Sequence, residues 1–166
     1  LCGQSYYHEM DGLPIPEIEH IECPYWYKNG GDLSKDDYGL KAARALENKI
    51  KELGKNRVAA FIGEPIQASG GVIVPPANYL KRVRDICRSN NIIFIADEVV
   101  TGFGRMGHIF ASEKVFGIIP DIITFAKGVT SGYFPLGGIV ISNKLIKDLR
   151  SSNHADAMFG HGLTYS

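Results

Sequence analysis

Three ionisable residues stand directly after apolar runs of strand length. Glu64 follows Val58–Gly63, Asp97 follows Ile92–Ala96, and Lys127 follows Ile122–Ala126. An amine held in a desolvated strand-end site gives up its proton more readily than one in water, and it can then act as a nucleophile. Taken alone, a strand-terminal lysine more often simply reaches solvent. A carboxylate that closes an all-apolar strand must find a partner or take up a proton. Asp97 could cap the next turn. It could equally pair with a protonated pyridine nitrogen, which would keep such a ring cationic and make it an electron sink. Glycine-rich sequence follows both residues, Gly102–Gly107 after Asp97 and Gly128–Gly132 after Lys127, and leaves room for a ligand.

The elements that must position these residues alternate between two periods. Asp36–Leu53 reads as a helix with Leu40, Ala43, Leu46, Ile50 and Leu53 on one face and Gly54 as its stop. Tyr79–Ser89 reads as a second helix with Leu80, Val83, Ile86 and Cys87 on its apolar side. Val58–Gly63, Ile92–Ala96, Ile122–Ala126 and Ile139–Ile141 read as strands, and Asn143–Arg150 as a short helix. Nearly every position of Ile92–Ala96 is apolar, which predicts a parallel strand covered on both faces. Residues 1–34, with Leu13-Pro14-Ile15-Pro16, are expected to be irregular. Strands alternating with helices give an α/β fold, and in open α/β sheets ligands gather beyond the carboxyl ends of the strands. Glu64, Asp97 and Lys127 all occupy such ends.

Composition removes several other classes. The 166 residues carry 18 Lys+Arg against 18 Asp+Glu, so the basic excess of a nucleic-acid binder is missing. No apolar stretch approaches the length of a membrane span. Cys2, Cys23 and Cys87 are odd in number and form no C-x-x-C pair, which points to a reducing, cytoplasmic setting and no disulfide framework. The histidines offer no H-E-x-x-H, and no metal site is expected. The chain opens without methionine and breaks off at Ser166, so it is expected to be a piece of a longer protein, cut at both ends.

Four ordered motifs carry a family resemblance. Asp97-Glu98-Val99-Val100-Thr101-Gly102-Phe103-Gly104-Arg105-Met106-Gly107 resembles the D-E-V-x-x-G-F-G-R-x-G signature of class III aminotransferases. Pro120–Gly128, with the lysine 30 positions after Asp97, is similar to that family's lysine segment. Glu64-Pro65-Ile66-Gln67 resembles its E-P-I-Q, and His161-Gly162-Leu163-Thr164-Tyr165-Ser166 its H-G-x-T-Y-S. Within the family, the nearest look is to omega-amino acid:pyruvate aminotransferases. The resemblance implies fold type I of the enzymes dependent on pyridoxal 5'-phosphate (PLP), a mostly parallel sheet flanked by helices. Residues 1–166 would form part of the large PLP-binding domain, with the N-terminal and C-terminal small-domain segments absent. It also implies roles. Lys127 would hold PLP as a Schiff base and move the proton during transfer, and Asp97 would pair with the pyridine nitrogen. Val99 would pack on the ring, and Glu64 would lie near it and order Asp97's surroundings. Thr164 would bond the phosphate of the PLP in a partner subunit, which makes the expected active unit a homodimer with shared sites.

One departure bears on the substrate. Members of the family that use 2-oxoglutarate carry a glutamate five residues after the Glu of E-P-I-Q, and that glutamate gates an arginine that reads the second carboxylate. Ser69 stands there, which favours pyruvate or another monocarboxylic oxo acid as acceptor of the amino group. Two alternatives remain. The same fold hosts PLP-dependent racemases, decarboxylases and phospho-lyases. Gly102-x-Gly104-x-x-Gly107 is also literally the G-x-G-x-x-G of dinucleotide-binding oxidoreductases. Its context is wrong, because Glu98–Thr101 separate it from the strand and His108-Ile109-Phe110 follow it.

Overall fold

The computed structural model describes Gly3, His8 and residues 15–151. These divide into two compact units, one of residues 15–58 and 66–86, the other of residues 59–65 and 87–151.

In the first unit, Trp26–Asn29 forms a single helical turn, α1, inside the region expected to be irregular. Trp26 donates from Nε1 to the Leu33 carbonyl at 2.9 Å, and Lys35 Nζ sits 5.0 Å from the indole centroid. The long helix α2 spans Lys35–Leu53. Ser34 caps it by accepting from the Asp37 N–H at 3.1 Å. Gly54, at φ 91°, ends it as the sequence predicts. Its buried stripe is Tyr38, Gly39, Ala42, Ala43, Leu46 and Ile50. Leu40, expected on that stripe, is 39% exposed, because its neighbour Gly39 takes the inward position. Asn78 donates from Nδ2 to the Asp36 carbonyl at 2.9 Å, and Arg82 meets Glu47 at 2.9 Å. Both residues belong to the region of helix α3 (Tyr79–Asn90), which buries Leu80, Val83, Ile86 and Cys87 as the sequence predicts.

The second unit is built on a sheet of four strands in the order β1 (Ala60–Gly63), β2 (Ile93–Asp97), β3 (Ile122–Phe125) and β4 (Gly138–Ile141). The first three run parallel and β4 is antiparallel to β3. β1 begins two residues later than Val58, after a 3-10 turn at Lys55–Arg57. Among the described residues the unit also holds two short helices, α4 (Ala111–Lys114) and α5 (Asn143–Ser151).

The two faces of the sheet differ. Phe94 and Ala96 are fully buried on one face, and Phe61 lies 5.5 Å from the Phe94 ring. Ile93, Ile95 and Asp97 on the other face are only half-buried. The expectation of a strand covered on both faces therefore holds for one face among the described residues. No helix of the described residues is long and apolar enough to cross a membrane.

Candidate active site

The register of the sheet brings the predicted site residues to one edge. Gly63 pairs with Ala96, so Glu64 is the next residue in step with Asp97. Asp97 pairs with Thr124, and Lys127 follows three residues later. Three neighbouring strands thus deliver Glu64, Asp97 and Lys127 at their carboxyl ends, the edge at which open α/β sheets bind ligands. Thr164 lies outside the described residues.

Asp97 is half-buried, and its Oδ1 accepts from the Val99 N–H at 3.1 Å. That bond fixes the turn on which Val99 sits. Thr124, Asp97's register partner, projects from the same face, and its Oγ1 is buried without a hydrogen-bond partner. Lys127 opens the 3-10 turn Lys127–Val129 at φ 44°, a left-handed conformation that costs a residue with a Cβ about 1 kcal/mol or more. Its side chain is exposed among the described residues. Glu64 is half-buried.

Glu98 was not singled out by the sequence, yet its carboxylate is buried and bonded on both oxygens. It is 0% exposed. Its Oε2 accepts from Thr101 Oγ1 at 3.0 Å and from the Ala111 N–H at 2.6 Å, and its Oε1 accepts from the N–H and hydroxyl of Ser112. Four donors and no acceptor suit a carboxylate. The signal that could have found it is the acidic residue that follows Asp97 where the strand's apolar run has ended.

The glycine motif forms a hairpin. Phe103 N–H donates to the Ile109 carbonyl at 2.6 Å and Gly104 N–H to the His108 carbonyl at 3.0 Å. The motif opens no long helix, since α4 begins only at Ala111 and has four residues. A dinucleotide needs the glycines at a helix N-terminus, so this geometry removes that reading.

A cavity of about 470 Å³ lined by His108, Phe110, Ile119, Ile123, Val140 and Ser142 is a separate feature. Ile123 and Val140 pair on the sheet face opposite Thr124, and none of Glu64, Asp97, Val99 or Lys127 lines it.

An exposed amine, a carboxylate with one oxygen still available and an orphaned hydroxyl, at the ends of adjacent parallel strands, form a site with unfilled polar capacity. It fits a ligand with a carbonyl for the amine and a cationic nitrogen for the carboxylate.

The whole chain, residues 1–166, matches the family model described as aminotransferase class-III, and the protein belongs to that family. It is 49% identical over 166 residues to the putrescine–pyruvate aminotransferase of Pseudomonas aeruginosa, covering 100% of this chain and 35% of that one. Among solved structures, an (S)-enantioselective omega-transaminase from Thermomicrobium roseum superposes with a TM-score of 0.89 at 42% identity, over 98% of this chain and 36% of that one. The omega transaminase of Pseudomonas jessenii in complex with PMP does so with 0.89 at 37% identity, over 97% and 36%. The chain thus has the α/β fold of these transaminases and spans about a third of the length of its curated relatives.

Proposed function

We propose that the whole protein is a PLP-dependent transaminase that moves an amino group from an amine or omega-amino acid to an oxo acid, with pyruvate the favoured acceptor. The observation that carries this reading is the placement of Asp97 and Lys127 at the carboxyl ends of adjacent parallel strands, with one oxygen of Asp97 unspent. Membership of the class III family supports it, as does the name of the Pseudomonas aeruginosa relative, which includes pyruvate.

Bound PLP would supply an electron sink for the charge that develops at the donor's Cα. Lys127 Nζ would hold the cofactor and would serve as the acid–base group that moves a proton between the substrate's Cα and the cofactor's C4′. Asp97 would keep the ring nitrogen cationic with its free oxygen, its other oxygen staying on Val99 N–H. Val99 would pack on the ring, held there by that same bond, and Glu64 would order the edge beside Asp97. Residues 1–166 would be part of the large domain. The active unit would be a cytoplasmic homodimer in which Thr164 reaches the phosphate in the partner subunit.

The test is borohydride reduction of the full-length protein followed by peptide mapping. A pyridoxyl group on Lys127 is the expected result. The same group on Lys114 or Lys144 would overturn the assignment.

A further inference from the structure

We infer that Glu98 is a positioning residue for Lys127, acting through the hairpin between them; this rests on the reading that Lys127 carries the cofactor. Glu98 is tied at three points. Its backbone N–H donates to the Thr124 carbonyl at 2.9 Å, which extends the β2–β3 pairing by one residue. Its carbonyl accepts from the Gly102 N–H at 3.0 Å. Its side chain spans 13 residues of sequence to grip the N–H groups of Ala111 and Ser112 at the start of α4. The hairpin Phe103–Ile109 is therefore clamped at both ends by one residue.

Lys127's turn rests on that hairpin. A Cβ placed on Gly128 would come within 3.1 Å of Phe103 Cβ and 3.4 Å of the Gly102 carbonyl oxygen. Phe103 is held in turn between Phe110 and Phe125, with ring centroids 5.5 and 5.3 Å away. A left-handed lysine persists only where its surroundings over-determine it. The packed floor of Gly102 and Phe103 under Gly128 is that surrounding, and Glu98 sets its height. The two backbone N–H donors cannot turn away, so an amide at position 98 would set an NH2 against one of them whichever way it flipped.

The experiment uses full-length protein loaded with PLP and compares wild type, Glu98→Gln and Leu46→Ala, a core change in α2 chosen to match the loss of Tm. The readouts are the pH titration of the visible absorbance and the rate of cofactor loss on dilution. In Glu98→Gln the titration midpoint should move by about one pH unit, the size set by the strain of one left-handed residue. Cofactor loss should speed up about tenfold, the effect of one buried donor left unpaired. Leu46→Ala should stay within about twofold of wild type. Should Glu98→Gln not fold, the double change Thr101→Val with Ser112→Ala keeps the carboxylate and removes two of its donors, and it should shift both readouts in the same direction by less. A folded variant whose readouts match wild type, or a control that moves as far, overturns the inference. Wild-type protein with no visible band overturns the cofactor reading itself.

Discussion

Asp97 on β2 and Thr124 on β3 are register partners, so their side chains leave the same face of the sheet at its carboxyl edge. Asp97 spends one oxygen on the Val99 N–H, while Thr124 Oγ1 is buried with no partner. A hydroxyl left in that state costs about 1–3 kcal/mol. A group bound at the edge could satisfy it and couple its own binding to the stability of the sheet.

Removing the hydroxyl should therefore help the unliganded protein. Thr124→Val in cofactor-free, full-length protein is expected to raise stability by about 1 kcal/mol in chemical denaturation. A fall of that size would mean that the hydroxyl is already bonded in the free protein.

Asp97→Asn should keep much of the cofactor and lose most of the turnover. The amide can still accept from the Val99 N–H, so the turn survives. It no longer holds the ring nitrogen cationic, and a neutral ring is a poorer electron sink. A drop of about 100-fold or more in kcat, with cofactor content near that of wild type by absorbance, is the expected pattern. Equal loss of both would make Asp97 a residue of binding alone.

Much of this edge was legible because strand ends announce themselves. Apolar runs stop at Glu64, Asp97 and Lys127, and the helices Lys35–Leu53 and Tyr79–Asn90 follow from their 3.6-residue spacing and, for the first, from Gly54. The hidden parts depend on long-range contacts. Helix α4 has four residues, too few for a periodic signal, and its start is bonded to Glu98, 13 residues earlier. Trp26–Asn29 is one turn among prolines and aromatics. The left-handed φ of Lys127 leaves no trace in residue type, because glycine would be the expected choice there.

Tyr38 gives a pH dependence remote from the proposed chemistry. Burial pushes its phenol above the ordinary value of 10.0, a hydrogen bond with Asn29 opposes this, and the charges of Glu22 and Cys23 add to the rise. The folded protein thus holds this proton more tightly than the unfolded chain. The stability it contributes is complete below about pH 10 and is lost as pH rises through the higher folded value. Tyr38→Phe loses the hydroxyl's bond to the Cys23 carbonyl, about 1 kcal/mol at neutral pH. Its deficit against wild type should narrow as pH rises above about 10, the ordinary phenol value, in denaturation midpoints. A gap that stays constant would place the phenol's titration elsewhere.

Ser69, exposed in the turn after Gln67, carries the expectation about the acceptor. Half-reaction kinetics on full-length protein should give a higher kcat/KM with pyruvate than with 2-oxoglutarate, by about tenfold. Equal or faster turnover with 2-oxoglutarate would refute it, and Ser69→Glu should move the preference towards 2-oxoglutarate if position 69 supplies the gate.

The shared site is tested by complementation. A dianionic phosphate is held by donors that converge on it, and Thr164, 37 positions beyond Lys127, would supply one of them from the neighbouring subunit. Full-length Lys127→Ala and Thr164→Ala are each expected to be nearly inactive as homodimers, for different reasons: one lacks the amine, the other a phosphate donor. When the two are dissociated, mixed and reassociated, a mixed dimer places the alanine of Lys127 and the alanine of Thr164 in one and the same site. Its other site then has both wild-type residues. Random pairing makes about half of the dimers mixed, and each has one intact site, so activity should recover to about a quarter of wild type. If Thr164 served its own subunit, both sites of a mixed dimer would be defective and the mixture would stay as inactive as its parents. Mass spectrometry of the intact dimers separates that result from a failure to exchange subunits.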